Sequence, residues 1–324
     1  MPMLFKPFGS PKKEAALLAG VAEVKGVGDG PFDALLASCD MLQADIEIQV
    51  DDALLEKAKN LRAVLCRTIG VDFVDLAAAT RRGVLVVNSP AYCVEAVAEY
   101  AVGLMFAAAR AIPEASCAVR GENWNVRGKL HCVELRGKTL GVLGFGKIGR
   151  RVAEMARGLG MEFVAYDPYA PAAAAEQLGG RLLDLDGVMR ASDFLTIHLP
   201  LTPETRGMVG ARELSLMRDG SFLINVARGG VADETAVVEA LRTGKLAAAA
   251  LDVMTEEPPS KEHVLFTYDK PNLILTPHVA WSSLEARVLN DEVFRAQAEA
   301  VAAGRVPEHV LNPDAVEAWL KTAR

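Results

Sequence analysis

The sequence predicts an α/β protein with two domains, each built around a parallel β-sheet. Apolar segments of strand length alternate with amphipathic segments of helix length along most of the chain, and this alternation is typical of βαβ units. A length of 324 residues suits two domains of ordinary size. Eight apolar segments are predicted to be strands: 62–66, 83–87, 139–144, 162–167, 194–198, 221–226, 248–253 and 272–277.

Composition and charge argue against several classes of protein. The chain has 51% hydrophobic and 24% charged residues, as globular proteins do, and no apolar run reaches the length of a membrane span. The net charge of -7 disfavours nucleic-acid binding. The five cysteines are widely spaced and form no CxxC pair, which argues against a disulfide framework or a metal cluster. From this spacing we also expect no metal site. The first residues show no secretory signal pattern, so we expect a cytoplasmic protein.

Two long helical segments divide the chain. Residues 93–110 form a largely apolar helical pattern, and a helix that is apolar on most faces must be buried on most faces. Such a helix fits a connector packed between two domains or a helix in a subunit interface. We therefore place the first domain boundary here and expect a homodimer. A second helix is predicted from Ser282 or Ser283 to about residue 303, after which the chain would return to the first domain. The predicted domains are a discontinuous one, 1–95 with 290–324, and a second one, 96–289.

Gly144, Gly146 and Gly149 form the sequence GFGKIG between an apolar strand and a helical segment. The first glycine permits a tight turn, the second lets the backbone approach a pyrophosphate, and the third allows the helix to pack closely on the strand. Alone, the pattern also fits an ordinary glycine-rich turn. Here the next strand ends in Asp167, where a carboxylate can bind both ribose hydroxyls and repel the additional phosphate of NADP. We therefore predict a dinucleotide site that prefers NAD over NADP.

Seven segments, in this order, resemble the D-isomer-specific 2-hydroxy-acid dehydrogenase family. They are RTIGVDFVDLAAATRRGV (67–84), VEAVAEYAVGLM (94–105), GKTLGVLGFGKIG (137–149), HLPLTPETRGMV (198–209), NVARGGVADETAVVEAL (225–241), ALDVMTEEP (250–258) and LTPHVAW (275–281). The resemblance implies two Rossmann-like domains, one flavodoxin-like and substrate-binding and one NAD-binding, with a cleft between them for a small 2-keto or 2-hydroxy acid. The first 40 residues match poorly, so the opening strand is expected to be eroded.

The resemblance assigns the active site to three side chains that each follow a predicted strand, namely Arg228, Glu257 and His278. Hydride delivered to a keto carbon builds negative charge on its oxygen, and histidine is the residue type best suited to donate a proton near neutral pH. A carboxylate bonded to the imidazole nitrogen that does not face the substrate favours the charged ring and fixes its orientation. A guanidinium binds a substrate carboxylate through two hydrogen bonds. Taken singly, each residue type is more often structural or a surface charge, and only the ordered set of motifs favours catalysis.

The remaining candidate residues follow from the resemblance. The backbone of Ile69 and Gly70 is expected to hold the substrate carboxylate, and Tyr92 either faces the substrate or belongs to the core. His198 is expected to line the cofactor pocket, and Asp252 to contact the nicotinamide amide or to cap a strand end. Further candidates for cofactor binding are Lys147, Ile148, Pro168, Pro200, Thr205, Ala227, His278 and Ala280.

Alternatives within this family stay open. Phosphoglycerate dehydrogenases also resemble the chain, but they usually carry an arginine where Cys66 stands, and Arg67 would point to the other side of an extended strand. Formate dehydrogenases normally carry glutamine where Glu257 stands. Trp281 is similar to a residue of hydroxypyruvate and glyoxylate reductases, which favours short polar keto acids. Corepressors of the family bind NAD and act mainly as dimeric interaction proteins, and a turnover assay would distinguish them from an enzyme.

Overall fold

The computed structural model describes residues 1–322 and contains two compact units. The first unit joins Met1–Tyr92 to the chain from Leu284 onward, and the second is Cys93–Ser283. Each division directly precedes a long helix, because a helix packs as one body. The boundaries expected from the sequence, after residues 95 and 289, lie a few residues inside these two helices.

The secondary structure alternates between strands and helices as a βαβ protein requires. The strands are β1 (Met3–Lys6), β2 (Glu23–Gly26), β3 (Met41–Ala44), β4 (Ala63–Cys66), β5 (Leu85–Val87), β6 (Thr139–Leu143), β7 (Glu162–Tyr166), β8 (Arg181–Leu182), β9 (Phe194–Ile197), β10 (Ser221–Asn225), β11 (Leu246–Leu251) and β12 (Leu273–Leu275). The α-helices are α1 (Lys12–Leu17), α2 (Phe32–Ser38), α3 (Asp52–Lys57), α4 (Leu76–Arg81), α5 (Val94–Ala109), α6 (Ile112–Arg120), α7 (Lys147–Gly158), α8 (Ala172–Gln177), α9 (Leu185–Ala191), α10 (Ala211–Leu216), α11 (Glu234–Thr243), α12 (Leu284–Ala302) and α13 (Val316–Thr322). Short 3₁₀ helices cover Val27–Asp29, Trp124–Val126, Gly229–Val231, Val264–Thr267 and Pro313–Ala315.

The first unit contains a five-stranded parallel sheet in the order β2-β1-β3-β4-β5. This is the flavodoxin-like order of a doubly wound sheet. The expectation of an eroded opening strand is wrong, because Met3–Lys6 pairs with β2 on one side and with β3 on the other. Phe294 of α12 and Trp319 of α13 belong to the same apolar core as Leu4 of β1.

The second unit contains a seven-stranded parallel sheet in the order β12-β11-β10-β9-β6-β7-β8. The chain starts in the middle of this sheet at β6, adds β7 and β8 on one side, and then crosses to β9 on the other. The order therefore reverses between β6 and β9, and in open α/β sheets ligands bind at the carboxyl ends of the strands beside such a reversal. All eight strands predicted from the sequence are confirmed.

Helix α5 is the apolar helix predicted at residues 93–110, and it packs against β10, β11 and α7 within the second unit. Its buried side chains include Val97, Ala101 and Leu104. Over residues 1–322, no single helix is long and apolar enough to cross a membrane, and one bent pair, α5 with α6, meets the length and composition requirement across a bend of 62°.

Candidate active site

The glycine-rich turn between β6 and α7 has three distinct glycine environments. Gly144 has φ +92°, and a Cβ there would lie 2.7 Å from the carbonyl carbon and oxygen of His198. A Cβ on Gly149 would lie 2.0 Å from the carbonyl oxygen of Gly144, so only glycine lets the helix approach the turn. A Cβ on Gly146, the N-cap of α7, would meet no atom within 4 Å. The turn is therefore closed on two sides and open at the helix N-terminus, where a pyrophosphate fits.

Asp167 follows β7 and lies beside this turn. Its Oδ2 accepts a hydrogen bond of 2.8 Å from the backbone N–H of Phe145, inside the GFGKIG sequence. Its Oδ1 accepts a hydrogen bond of 2.9 Å from the N–H of Tyr169. Lys147 is the first residue of α7, and Pro168 directly follows the carboxylate. The carboxylate and the open helix N-terminus are thus adjacent, as recognition of a ribose and a pyrophosphate requires.

His198 follows β9 on the other side of the reversal in strand order. Burial lowers the pKa of His198 to about 3, so the ring is neutral over the physiological pH range. Its Nε2 lies 2.9 Å from the hydroxyl of Thr196. In the loop that follows, the Thr205 hydroxyl donates a hydrogen bond of 2.6 Å to the carbonyl of Pro200. A neutral ring in this position suits the wall of a pocket and not an acid that cycles its charge.

His278 and Glu257 form a hydrogen-bonded pair. Nδ1 of His278 lies 2.7 Å from Oε2 of Glu257, and about a quarter of each side chain is exposed, 23% and 25%. Burial raises the pKa of Glu257, but the hydrogen bond and charge of His278, the N–H of Met254 and the charge of Arg228 together outweigh it and lower the pKa. Glu257 is therefore ionised at neutral pH, and Nε2 of His278 is the ring nitrogen left for a substrate.

The backbone of His278 is strained and is held in place by Asp252. His278 has φ +51°, a left-handed conformation that residues with a side chain rarely adopt. Oδ1 of Asp252 accepts hydrogen bonds from the Thr276 hydroxyl at 2.5 Å and the Val279 N–H at 3.0 Å, and Oδ2 accepts one from the Ala280 N–H at 2.8 Å. The N–H of His278 also donates to the carbonyl of Asp252, at 2.8 Å. These bonds fix the loop in its strained shape.

Arg228 lies in the turn after β10. Its Nη1 donates a hydrogen bond of 2.8 Å to the carbonyl of Ala227, and its positive charge contributes to the lowered pKa of Glu257. A Cβ on the next residue, Gly229, would lie 2.0 Å from the carbonyl carbon of Met254. The absence of a side chain at Gly229 therefore lets the Arg228 turn approach the turn that carries Glu257.

The topology of the sheet explains why these three side chains lie together. Arg228 follows β10, Glu257 follows β11 and His278 follows β12, and these strands are neighbours in the parallel sheet. Because the carboxyl ends of parallel strands meet at one edge, the turns that follow them are neighbours too. The guanidinium of Arg228 and the imidazole of His278, with its carboxylate partner Glu257, thus share one sheet edge within the second unit.

The expected substrate loop lies in the first unit, after β4. The carbonyl of Ile69 accepts a hydrogen bond of 2.6 Å from Nδ2 of Asn88, and the carbonyl of Gly70 accepts one of 2.7 Å from the hydroxyl of Thr68. Asn88 is buried. The loop is therefore anchored through its carbonyl groups, as it must be if its N–H groups are to bind an anion. Tyr92 is also buried, at 9% exposure, and its contact with substrate remains a prediction.

The end of β4 offers no uncompensated positive charge. Cys66 is fully buried, and burial raises the pKa of its thiol, so this position is neutral. The guanidinium of Arg67 forms an ion pair with Glu14 at 3.3 Å and a second one with Asp291. Its central carbon lies 4.9 Å from the centre of the Phe294 ring. The guanidinium of Arg67 is thus already paired with two carboxylates and lies against an aromatic ring.

Sequence reasoning missed two residues that shape the site, Asn88 and Gly229. Asn88 is a polar residue at the end of the apolar strand β5, and such a residue in a buried position requires a partner. Gly229 begins a glycine pair directly after the arginine, which could have indicated a close backbone approach. In both cases the partner is distant in the chain, so the sequence alone does not identify it.

Comparison with known proteins identifies the family. Residues 102–280 match "D-isomer specific 2-hydroxyacid dehydrogenase, NAD binding domain". The chain belongs to this family. The glyoxylate reductase of Aeropyrum pernix is 40% identical over 296 residues, which cover 89% of this chain and 88% of that protein. The D-3-phosphoglycerate dehydrogenase of Archaeoglobus fulgidus is 41% identical over 271 residues, 84% of this chain, and the chain spans about half, 51%, of its length.

A solved structure extends the similarity to both units of this family member. The D-lactate dehydrogenase from Aquifex aeolicus, complexed with NAD and lactic acid, superimposes with a TM-score of 0.85 at 26% identity and covers 98% of each chain. The prediction of two Rossmann-like domains with parallel sheets is thereby confirmed. The matched residues 102–280 lie within the second unit, which is the NAD-binding domain.

Proposed function

We propose that this protein is an NAD-dependent D-2-hydroxy-acid dehydrogenase that reduces a small 2-keto acid and catalyses the reverse oxidation. The observation that carries the proposal is the arrangement of Arg228, Glu257 and His278 after three neighbouring strands, with Glu257 and His278 joined by a hydrogen bond of 2.7 Å. The nicotinamide cofactor, when bound, exchanges the hydride. The protein supplies the proton and the groups that orient the acid.

Each of the three side chains has a separate role in this proposal. The guanidinium of Arg228 binds the carboxylate of the acid through two hydrogen bonds and polarises the adjacent carbonyl. Protonated His278 donates from Nε2 to the carbonyl oxygen during reduction, and the neutral ring accepts the same proton during oxidation. Ionised Glu257 holds Nδ1 and stabilises the charged ring. Reduction should therefore decline at alkaline pH, whereas oxidation should become faster as the pH rises.

The proposed cofactor site combines the glycine-rich turn with the strand ends around it. The N-terminus of α7 would bind the pyrophosphate beside Gly146 and Lys147, and the carboxylate of Asp167 would bind the ribose hydroxyls and exclude the phosphate of NADP. The fit is supported by the open space at Gly146 and by the position of Asp167 beside the same turn. The other residues proposed for this site are Gly144, Ile148, Gly149, Pro168, His198, Pro200, Thr205, Ala227, Asp252, His278 and Ala280.

We infer that the substrate is short and carries no phosphate. The support is the end of β4, where Cys66 is neutral and buried and Arg67 is paired with Glu14 and Asp291. A phosphate there would have to displace two carboxylates from the arginine. The N–H groups of Ile69 and Gly70 remain proposed contacts of the substrate carboxylate, and Tyr92 remains a proposed contact as well.

A panel of 2-keto acids tests the activity, the cofactor and the substrate together. Glyoxylate, hydroxypyruvate, pyruvate and 3-phosphohydroxypyruvate are each assayed with NADH and NADPH, and the chirality of the product is determined for the last three, because the product of glyoxylate is achiral. We expect turnover of an unphosphorylated acid, preference for NADH and a D product. Absence of turnover at high enzyme concentration, with NADH still bound, would contradict the enzyme and favour an interaction protein. Selective turnover of the phosphorylated acid would contradict the inferred substrate.

We also infer a homodimer, supported by exposed apolar side chains on and after α5. Phe106, Ile112, Val119 and Trp124 are all exposed, Trp124 at 61%. We expect twice the chain mass of 34.6 kDa in solution. The double variant Val119→Asp with Trp124→Ser should weaken the dimer, whereas Tyr169→Ser, at an aromatic residue exposed elsewhere, should not. A monomeric mass at all concentrations would contradict the dimer.

We infer a cytoplasmic location for the protein. The support is that Cys39, Cys66, Cys117 and Cys132 are free thiols, and cytosolic thiols are normally kept reduced.

A further inference from the structure

Glu234 is a buried carboxylate that the proposed mechanism does not use. It is the first residue of α11 and is only 8% exposed. Its Oε1 accepts a hydrogen bond of 2.7 Å from the backbone N–H of Thr255. Its Oε2 lies 3.3 Å from Nε2 of His263, which is buried as well. Nδ1 of His263 accepts a hydrogen bond of 3.4 Å from the N–H of Leu265, which orients the ring with Nε2 toward Glu234.

The Glu234 side chain therefore contacts both ends of the segment 255–263. A buried carboxylate is unfavourable unless it has polar partners, and Thr255 and His263 are the partners of Glu234 here. Glu257 lies inside the segment, two residues after Thr255. The preceding N–H, that of Met254, donates to Oε1 of Glu257 at 2.9 Å. The consecutive N–H groups of Met254 and Thr255 thus bind the carboxylates of Glu257 and Glu234. A rotation of this turn that breaks one of these hydrogen bonds also disturbs the other.

The same turn is fixed from its other side by the Arg228 loop. Gly229 approaches the carbonyl of Met254 so closely that a Cβ would lie 2.0–2.4 Å from three backbone atoms of Met254 and Thr255. The Met254–Thr255 peptide therefore lies between Gly229 and the carboxylate of Glu234. Loss of the carboxylate removes one of the two restraints on the turn that carries Glu257.

We propose that Glu234, supported by His263, is a positioning residue that aligns Glu257 on His278. It touches neither reactant in this scheme and acts through the Met254–Thr255 turn. The kinetic consequence rests on the function proposed above, whereas the anchoring of the turn does not. A misaligned Glu257 stabilises the charged His278 ring less, so that reduction declines at a lower pH and kcat falls. Glu257 is bonded to His278, Asp252 is bonded to the His278 loop and the charge of Arg228 acts on Glu257. None of these three side chains is substituted in a Glu234 variant.

The test compares Glu234→Ala and Glu234→Gln with Glu239→Ala, which removes an exposed carboxylate from the same helix. Hydrogen exchange of a peptide covering residues 253–258 is measured without substrate, and the pH profile of reduction is measured with NADH. For Glu234→Ala we expect faster exchange at Met254 and Thr255, a shift of the alkaline decline to lower pH, and a loss of kcat on the order of tenfold to a hundredfold. The KM for NADH should stay within about twofold of wild type, because the cofactor-binding turn is untouched.

Glu234→Gln keeps an acceptor oxygen but loses the charge, so we expect intermediate exchange and an intermediate pH shift. If Glu234→Ala does not fold, Glu234→Gln provides the test in its place. Wild-type exchange in a folded Glu234 variant overturns the proposal. Faster exchange with an unchanged pH profile also overturns it, because Glu234 would then be a purely structural residue. If wild-type protein turns over no keto acid, the proposed function fails, and the exchange result still decides whether Glu234 anchors the turn.

Discussion

His278→Ala is expected to lower the rate of keto-acid reduction on the order of 10²- to 10⁴-fold, the usual contribution of a positioned acid or base. In the structure Nδ1 of His278 is bonded to Glu257, so Nε2 is the nitrogen that can deliver the proton. His198 cannot replace it, because its pKa of about 3 keeps it neutral. The variant should also lose the rise of the oxidation rate with pH. Single-turnover rates in both directions, across a pH series, measure this.

A matched control for this variant is His309→Asn. His309 is partly exposed and has φ +64°, a conformation that asparagine tolerates, so the backbone should not change. We expect wild-type rates and unchanged NADH affinity from this control. A folded His278→Ala protein with near-normal activity would remove His278 from the role of acid and base. If oxidation and reduction by the wild type had parallel pH profiles, the assignment of His278 as the single acid and base would also be contradicted.

The sequence did not predict β1, β2, β3 and β8 as strands. The two of these at sheet edges, β2 and β8, differ most from the predicted strands in length and pattern. The predicted β6 and β10 are runs of five residues with largely buried side chains, TLGVL and SFLIN, which stand out from their surroundings. The missed β2 and β8 are EVKG and RL, edge strands of four and two residues with few apolar positions. Such strands form because a neighbouring strand offers backbone partners, and this information is not local in the sequence.

The candidate site shows the same division between local chemistry and distant contacts. The residue types of Arg228, Glu257 and His278 indicate their chemistry, and their order along the chain indicates the family. Their proximity depends on β10, β11 and β12 being neighbours, which no single motif specifies. Asp252 was predicted to contact the nicotinamide or to cap a strand. In the structure both of its oxygens accept hydrogen bonds from the His278 loop, which explains its burial without the cofactor.

Arg228→Lys is expected to lower kcat/KM for 2-keto acids on the order of 10²- to 10³-fold. The lysine keeps the charge but replaces a planar fork, which forms two hydrogen bonds to a carboxylate, by a single point charge. Because hydrogen bonds to charged groups contribute about 1.5–3 kcal/mol each, loss of one with misorientation of the carbonyl accounts for this range. Arg228→Ala should lose more, since Glu257 then also loses a neighbouring positive charge that lowers its pKa. Steady-state kinetics at saturating NADH measure both variants.

A carbonyl substrate without a carboxylate separates the proposed role from a general disturbance of the turn. If Arg228 acts mainly by binding the carboxylate, Arg228→Lys should lose much more rate with the keto acid than with such a compound, for which only the polarisation of the carbonyl is affected. Arg212→Lys, at an exposed arginine paired with Asp186, should match wild type with both compounds. Equal losses with both substrates in Arg228→Lys would mean that the arginine acts mainly on the carbonyl or on the fold, and not by binding the carboxylate. Carboxylate recognition would then have to come from backbone N–H groups such as those of Ile69 and Gly70.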